Sequence, residues 1–247
     1  MNSPRTLSHR NDEHDRPAPD HTVSPVVERH TLTPAQLQER SIISNSLVPR
    51  PEVNAFRDLR TRLQATADGH NFVTLVAAVS AGSGASYVCR NLAAAFAFHD
   101  TRSAMIVDCN PYHPSQHTTM HIDPVRGGLT DYLRDAETDL ADIVYETGVP
   151  RLRLIPAGSP DELGGEYFSS FRMHLLLDTL RNRYPARYLL LDGPPVSSGP
   201  DARILSDLAD IVVLVAGYGR DTPAAIAQAA ANFDPNKFAG VVFNQGV

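Results

Sequence analysis

The residues with the clearest chemical potential form one short stretch, Ala78-Val79-Ser80-Ala81-Gly82-Ser83-Gly84-Ala85-Ser86-Tyr87. Gly82 and Gly84 accept backbone conformations and close approaches that a side chain forbids, and the helix expected after them turns its free N–H groups toward the same point. That geometry suits a phosphate. Two carboxylates stand at comparable points further on: Asp108 closes the run Met105-Ile106-Val107, and Asp192 closes Leu189-Leu190-Leu191. Carboxylates there can hold magnesium or its waters. A lone glycine turn has a plainer explanation in chain reversal, and a lone aspartate in helix capping. Three such segments together read as a nucleotide site.

Positioning these groups requires strands that end beside them. Apolar runs at 72–79, 103–107, 152–156, 188–192, 211–216 and 240–244 read as buried strands, with helical segments near 85–98, 129–134, 171–184, 201–208 and 222–233. The alternation predicts an α/β fold with a mostly parallel central sheet covered by helices on both faces. Ligands of such sheets gather where loops leave the carboxyl ends of the strands. The domain is expected to span 52–247, beginning with a helix. Before it, Thr33 and Pro34 supply an N-cap and a first-turn proline for a short helix through about Ser44, so that 33–51 reads as a helix and linker packed on the domain. Residues 1–32 are rich in Pro, His, Arg and Asp and are expected to form a disordered tail. Four histidines there, His9, His14, His21 and His30, read as solvated polarity rather than metal ligands.

The net charge of -6 gives no basic field to draw the chain onto nucleic acid. Cys89 and Cys109 are the only cysteines, too few and too oddly placed for a disulfide framework, and they fit a reducing compartment. No run of about 18 apolar residues and no export signal is visible, so membrane insertion is not expected. Lys237 is the only lysine, and no basic amphipathic helix follows it. His113, His117 and His121 share an i, i+4, i+8 spacing that would align zinc ligands on a helix, but Pro114 breaks that helix at its start. Asp123, Asp131 and Asp135 do not keep the spacing of an EF-hand and read as turn residues.

In order, these segments resemble the cytoplasmic domain of the bacterial tyrosine kinases (BY-kinases) that partner polysaccharide co-polymerases, within the deviant Walker class of P-loop proteins that includes MinD and ParA. The resemblance runs from about residue 46 to 247 and includes NAFRDLRTRL at 54–63, VDCNPYHPS at 107–115, GLTDYL at 128–133, TGVPRLRLIPAGSPDELG at 147–164, SSFRM at 169–173, LLLDGPPV at 189–196 and SDLADIVVLVA at 206–216. It implies a phosphate loop at Gly82, Ser83, Gly84, Ala85, Ser86 and Tyr87. It also implies ATP or ADP as ligand, with magnesium on Ser86, Asp108 and Asp192, and Asp108 and Asp192 as the candidate catalytic carboxylates.

Four departures qualify this picture. The family's loop resembles PGEGKST, so its lysine becomes Ala85 and its threonine Tyr87. The lysine neutralises charge on the transferring phosphoryl group, and a methyl group cannot. Arg90 follows five residues later, about 7 Å up the helix axis and off the Ala85 face. The second motif, resembling DADLRRPS, has Asn110 for a carboxylate and neither arginine. The ExxRxxR helix, which forms the ring contact between subunits in these kinases, keeps Arg57 and Arg60 but carries Asn54 in place of its acid. Finally, the family's tyrosine-rich tail has no counterpart before Val247.

Together these features imply a pseudokinase, cytoplasmic and peripheral to the inner membrane through a polysaccharide co-polymerase, acting in exopolysaccharide or capsule export. Arg57 and Arg60 are its expected interface, toward that partner, a catalytic kinase subunit or another copy. Two alternatives stand beside it. One is an active ATP-dependent tyrosine kinase or ATPase with an atypical loop. The other is a MinD- or ParA-like or cellulose-synthase accessory protein, although Val79 and Ser80 replace that class's signature lysine.

Overall fold

A computed structural model describes residues 31–45, 50–67, 70–160 and 164–245. Most of the expected tail, with its four histidines, lies outside the described residues. Leu32, at the end of that stretch, is tied in: its N–H donates to the Gly148 carbonyl at 2.9 Å.

Seven strands form one sheet: β1 (Val73–Ala78), β2 (Ser103–Asp108), β3 (Tyr145–Glu146), β4 (Leu152–Ile155), β5 (Arg187–Asp192), β6 (Ile211–Gly217) and β7 (Phe238–Asn244), in the order β3-β4-β2-β5-β1-β6-β7. All neighbours run parallel except the two-residue β3, an antiparallel edge that the sequence reading missed. The helices are α1 (Pro34–Glu39), α2 (Pro51–Thr66), α3 (Ala85–Ala97), α4 (Gln116–Thr119), α5 (Leu129–Arg134), α6 (Phe171–Arg183), α7 (Asp201–Leu208) and α8 (Pro223–Ala230). The expected α/β architecture, a mostly parallel sheet with helices on both faces, is the one observed.

Strand residues divide between the two faces with the period of two that pleating imposes. Leu75 and Ala77, Met105 and Val107, and Leu189 and Leu191 join one core with α5, α6, α7 and α8. Val76, Ile106, Leu190 and Tyr188 join the other with α2 and α3. Being apolar on both sides is what makes these strands read as continuous hydrophobic runs. Helix α3 is buried almost all round, between the sheet and α2. Its alanines let the backbone approach closely, while Phe96 packs on Tyr188 with ring centroids 4.2 Å apart. Each such fully buried side chain stabilises the fold by about 2 kcal/mol.

Helix α1 begins as its sequence implies, with Thr33 and Gln36 forming a reciprocal capping box. It ends at Glu39, short of Ser44, because Ser41 takes a left-handed φ of 52° and breaks the helical ladder. Beyond the break, Ile42 and Ile43 turn into the core, and Asn91 of α3 holds the segment by accepting from the Ile43 N–H at 2.7 Å and donating to the Ser41 carbonyl at 3.0 Å.

Lys237 sits just before β7 and donates its ammonium to the Ser206 and Asp207 carbonyls at 3.1 and 3.0 Å. It thereby caps the last turn of α7. The far end of β7, at Asn244, lies roughly 20 Å away along the strand.

Candidate functional site at the carboxyl ends of the strands

Gly82 and Gly84 have φ of 82° and 93°, the left-handed region in which a side chain is strained. Gly84 is also the N-cap residue of α3, and a Cβ on it would lie 2.0 Å from the Asn244 amide nitrogen. That nitrogen donates to the Ser83 carbonyl at 3.1 Å, tying the loop to the end of β7.

A second tether comes from the turn after β6. The Asp221 carboxylate accepts from the Gly217 N–H at 2.7 Å, lies 2.6 Å from the Ser83 hydroxyl, and is also bonded by the Ser80 hydroxyl. Burial alone would raise its pKa, but the bonds from Ser80, Ser83 and Gly217 outweigh it and hold the group below the usual carboxylate range. The neighbouring Arg220 reaches across the loop: its Nη1 donates to the Ala81 carbonyl at 3.0 Å, and its Cζ would lie 3.1 Å from a Cβ on Gly82. An exposed guanidinium therefore stands over the glycine turn. Ala85, where the resemblance expects lysine, is buried at the first turn of α3. Tyr87 turns away from the loop, its ring edge-on to Phe56 of α2 at 6.0 Å.

Behind the loop, β2 and β5 end side by side with Asp108 and Asp192 as register partners, both fully buried. The two oxygens of Asp108 accept backbone N–H groups, from Asn110 at 3.2 Å on one side and from Ser115 and Gln116 at 3.3 and 3.2 Å on the other. One oxygen of Asp192 accepts the Gln116 side-chain amide at 2.7 Å, while the other, Oδ1, is buried and has no hydrogen-bond partner among the described residues. The same Gln116 amide donates to the Ser86 carbonyl at 2.9 Å, and its Oε1 accepts from the buried Arg90 guanidinium at 3.1 Å.

Burial and the charge of Asp192 raise the pKa of Asp108 to about 8. Burial also raises that of Asp192, to about 6, held back by hydrogen bonds from Gln116 and Ser86 and by the charge of Arg90. Of the residues expected to hold magnesium, Asp192 through Oδ1 and Ser86 through its hydroxyl have oxygens that a hard cation would share, whereas both Asp108 oxygens are taken by backbone N–H groups and Gln116 and Arg90 crowd Asp192 from one side.

The fold thus gathers Gly82, Ser83, Gly84, Ala85, Ser86, Asp108 and Asp192 at one end of the sheet, and directs Tyr87 elsewhere. Sequence reasoning missed Ser80, Gln116, Arg220, Asp221 and Asn244. It set Arg90 aside for its distance from Ala85, and the structure uses Arg90 at the carboxylates.

No family model matches the chain. Among curated proteins, it is 26% identical over 192 residues to the tyrosine-protein kinase CpsD of Streptococcus agalactiae, a match covering 77% of this chain and 82% of that one. It is 32% identical over 200 residues to the putative tyrosine-protein kinase EpsB of Ralstonia solanacearum, covering 78% of this chain and 26% of EpsB. The BceF tyrosine kinase domain superposes with a TM-score of 0.71 at 28% identity, covering 87% of this chain and 90% of that domain. The chain is a homologue of the bacterial tyrosine kinases. Its likeness to the MinD protein of Pyrococcus horikoshii, solved with Mg-ADP, is one of fold, with a TM-score of 0.55 at 18% identity over 69% of this chain and 68% of MinD.

Against the tyrosine-kinase pattern, the two arginines expected at the subunit contact differ in kind. Arg57 is exposed on α2 and donates to Asn45 at 2.8 Å. Arg60 is partly buried and donates to the Ala95 carbonyl at 2.8 Å, in the last turn of α3. Among the described residues, no helix is long and apolar enough to cross a membrane.

Proposed function

We propose that the chain is a non-catalytic, cytoplasmic member of the bacterial tyrosine kinases that partners an inner-membrane polysaccharide co-polymerase in exopolysaccharide or capsule export. Ala85 carries this reading. Phosphoryl transfer needs a cation beside the migrating phosphate, and the helix position that would supply it holds a buried methyl group. The chain's one lysine is engaged at the opposite end of the sheet. ATP or ADP would bind through the loop amides from Gly82 to Tyr87, with magnesium near Ser86, Asp108 and Asp192, and exposed Arg57 would face the partner. Calorimetric titration of ATP and ADP with magnesium is expected to give no binding tighter than millimolar, with affinity gained in Ala85→Lys. Micromolar binding by the unmodified chain sinks the pseudo-site. For the partnership, the co-polymerase should co-purify with the chain, and unchanged capture by Arg57→Ala removes that residue from the interface.

One observation favours a second reading, an active ATP-dependent tyrosine kinase or ATPase. Arg220 brings a guanidinium over Gly82 from the turn after β6. Under this reading the purified chain transfers phosphate from labelled ATP and Arg220→Ala abolishes the transfer, whereas the first reading expects none from either protein.

A further inference from the structure

A buried carboxylate must be protonated, paired or coordinated. Asp192 is completely enclosed, and a second enclosed carboxylate, Asp108, is its neighbour on the next strand. Two such groups together would ordinarily draw a divalent cation. This chain supplies cationic character of its own. Arg90 is also buried, and its guanidinium donates to Gln116 Oε1 at 3.1 Å. Gln116 in turn sits with its amide nitrogen between the Asp192 carboxylate and the Ser86 carbonyl, at 2.7 and 2.9 Å. The bond from Arg90 polarises that amide, so its donated N–H is strengthened where it meets Asp192. The arm is rigid: the Gln116 N–H is fixed on Asp108, and Arg90 emerges from the most enclosed helix of the fold.

We propose that Arg90 and Gln116 form a built-in counter-charge for Asp192 that competes with a divalent cation. The site therefore binds magnesium or manganese far more weakly than two adjacent buried carboxylates otherwise would. The guanidinium repels an incoming cation, and the amide holds the Asp192 oxygen that a metal would share with the open Oδ1. This holds whether the chain transfers phosphate or only binds partners, so it stands or falls apart from the functional reading above.

Manganese binding to the purified full chain, followed by electron paramagnetic resonance of the free ion without nucleotide, tests it. Wild-type protein is expected to leave manganese free up to millimolar concentrations, and its thermal midpoint should be the same in magnesium and in chelator. Arg90→Met keeps the aliphatic length without the charge, and should bind manganese about tenfold tighter or more. Gln116→Glu takes up the Arg90 charge, withdraws the donor from Asp192 and adds a ligand, so it should gain still more. Micromolar manganese binding by the wild type overturns the proposal outright, a result that needs no variant to fold. Unchanged affinity in a folded Arg90→Met or Gln116→Glu protein overturns it equally.

Discussion

Asp108 and Asp192 face one another across the β2–β5 ladder, register partners on adjacent parallel strands and both closed to solvent. The folded state holds their protons up to about pH 8 and 6, while the unfolded chain releases them near the ordinary carboxylate value of about 4. Across that window the native state binds more protons than the unfolded one, so the pair's contribution is fully present below about pH 4 and declines as pH rises toward 8. Asp192→Asn keeps an oxygen for the Gln116 amide and removes one charge. Its midpoint should exceed the wild type's near pH 8, with the difference shrinking toward pH 4. A constant offset at all pH values refutes the assignment.

Gly84→Ala meets two obstacles, a φ of 93° and the Asn244 amide nitrogen 2.0 Å from the new methyl. Chemical denaturation should show a loss of about 2–3 kcal/mol. The added change Asn244→Ala removes the collision but not the backbone strain, so it should restore only part of the loss. Full recovery in the double variant would show that the dihedral costs nothing.

Asp221 holds the phosphate loop through Ser80 and Ser83 while bonding Gly217 on its own turn. Asp221→Ala should leave the global fold intact and speed hydrogen exchange at Gly217 and through residues 80–84. Because the bonds depress its pKa, the wild-type tether is present above the usual carboxylate value and is lost as pH falls through the depressed folded one. Protection factors at the loop, taken relative to the intrinsic exchange rate at each pH, should therefore fall in acid in the wild type and not in the variant.

The two arginines of α2 should separate cleanly. Arg60→Ala deprives the Ala95 carbonyl of a charged donor and should cost about 1–2 kcal/mol, a drop of several degrees in the thermal midpoint. Arg57→Ala should leave that midpoint within a degree, since among the described residues its side chain makes one exposed bond, to Asn45. Equal losses would mean that Arg57 also supports the fold.

The sheet and the loop were legible because local pattern encodes them: apolar runs make strands that are buried on both faces, and glycines mark the turn. What escaped was the set of contacts made across long stretches of chain. Gln116 and Asp192 are 76 residues apart, and Arg220 and Ala81 are 139 apart. Nothing near Gln116 in sequence announces that its amide will point at a strand end. The distance of Arg90 along the helix from Ala85 keeps it out of the loop but says nothing of Asp192, whose charge it offsets through Gln116. The short edge strand β3 failed for a simpler reason, since two residues carry no periodicity.

With Lys237 held against two carbonyls, the chain offers a single side-chain amine for its whole length. Amine-reactive reagents should modify it slowly, so that apart from the terminal α-amine the native protein presents them with no fast-reacting side-chain amine. That silence makes Ala85→Lys more than a repair of the phosphate loop. The introduced amine would be a second side-chain amine, told apart from Lys237 and the α-amine by peptide mapping, and its acylation rate against pH would report the electrostatic potential at the mouth of the site.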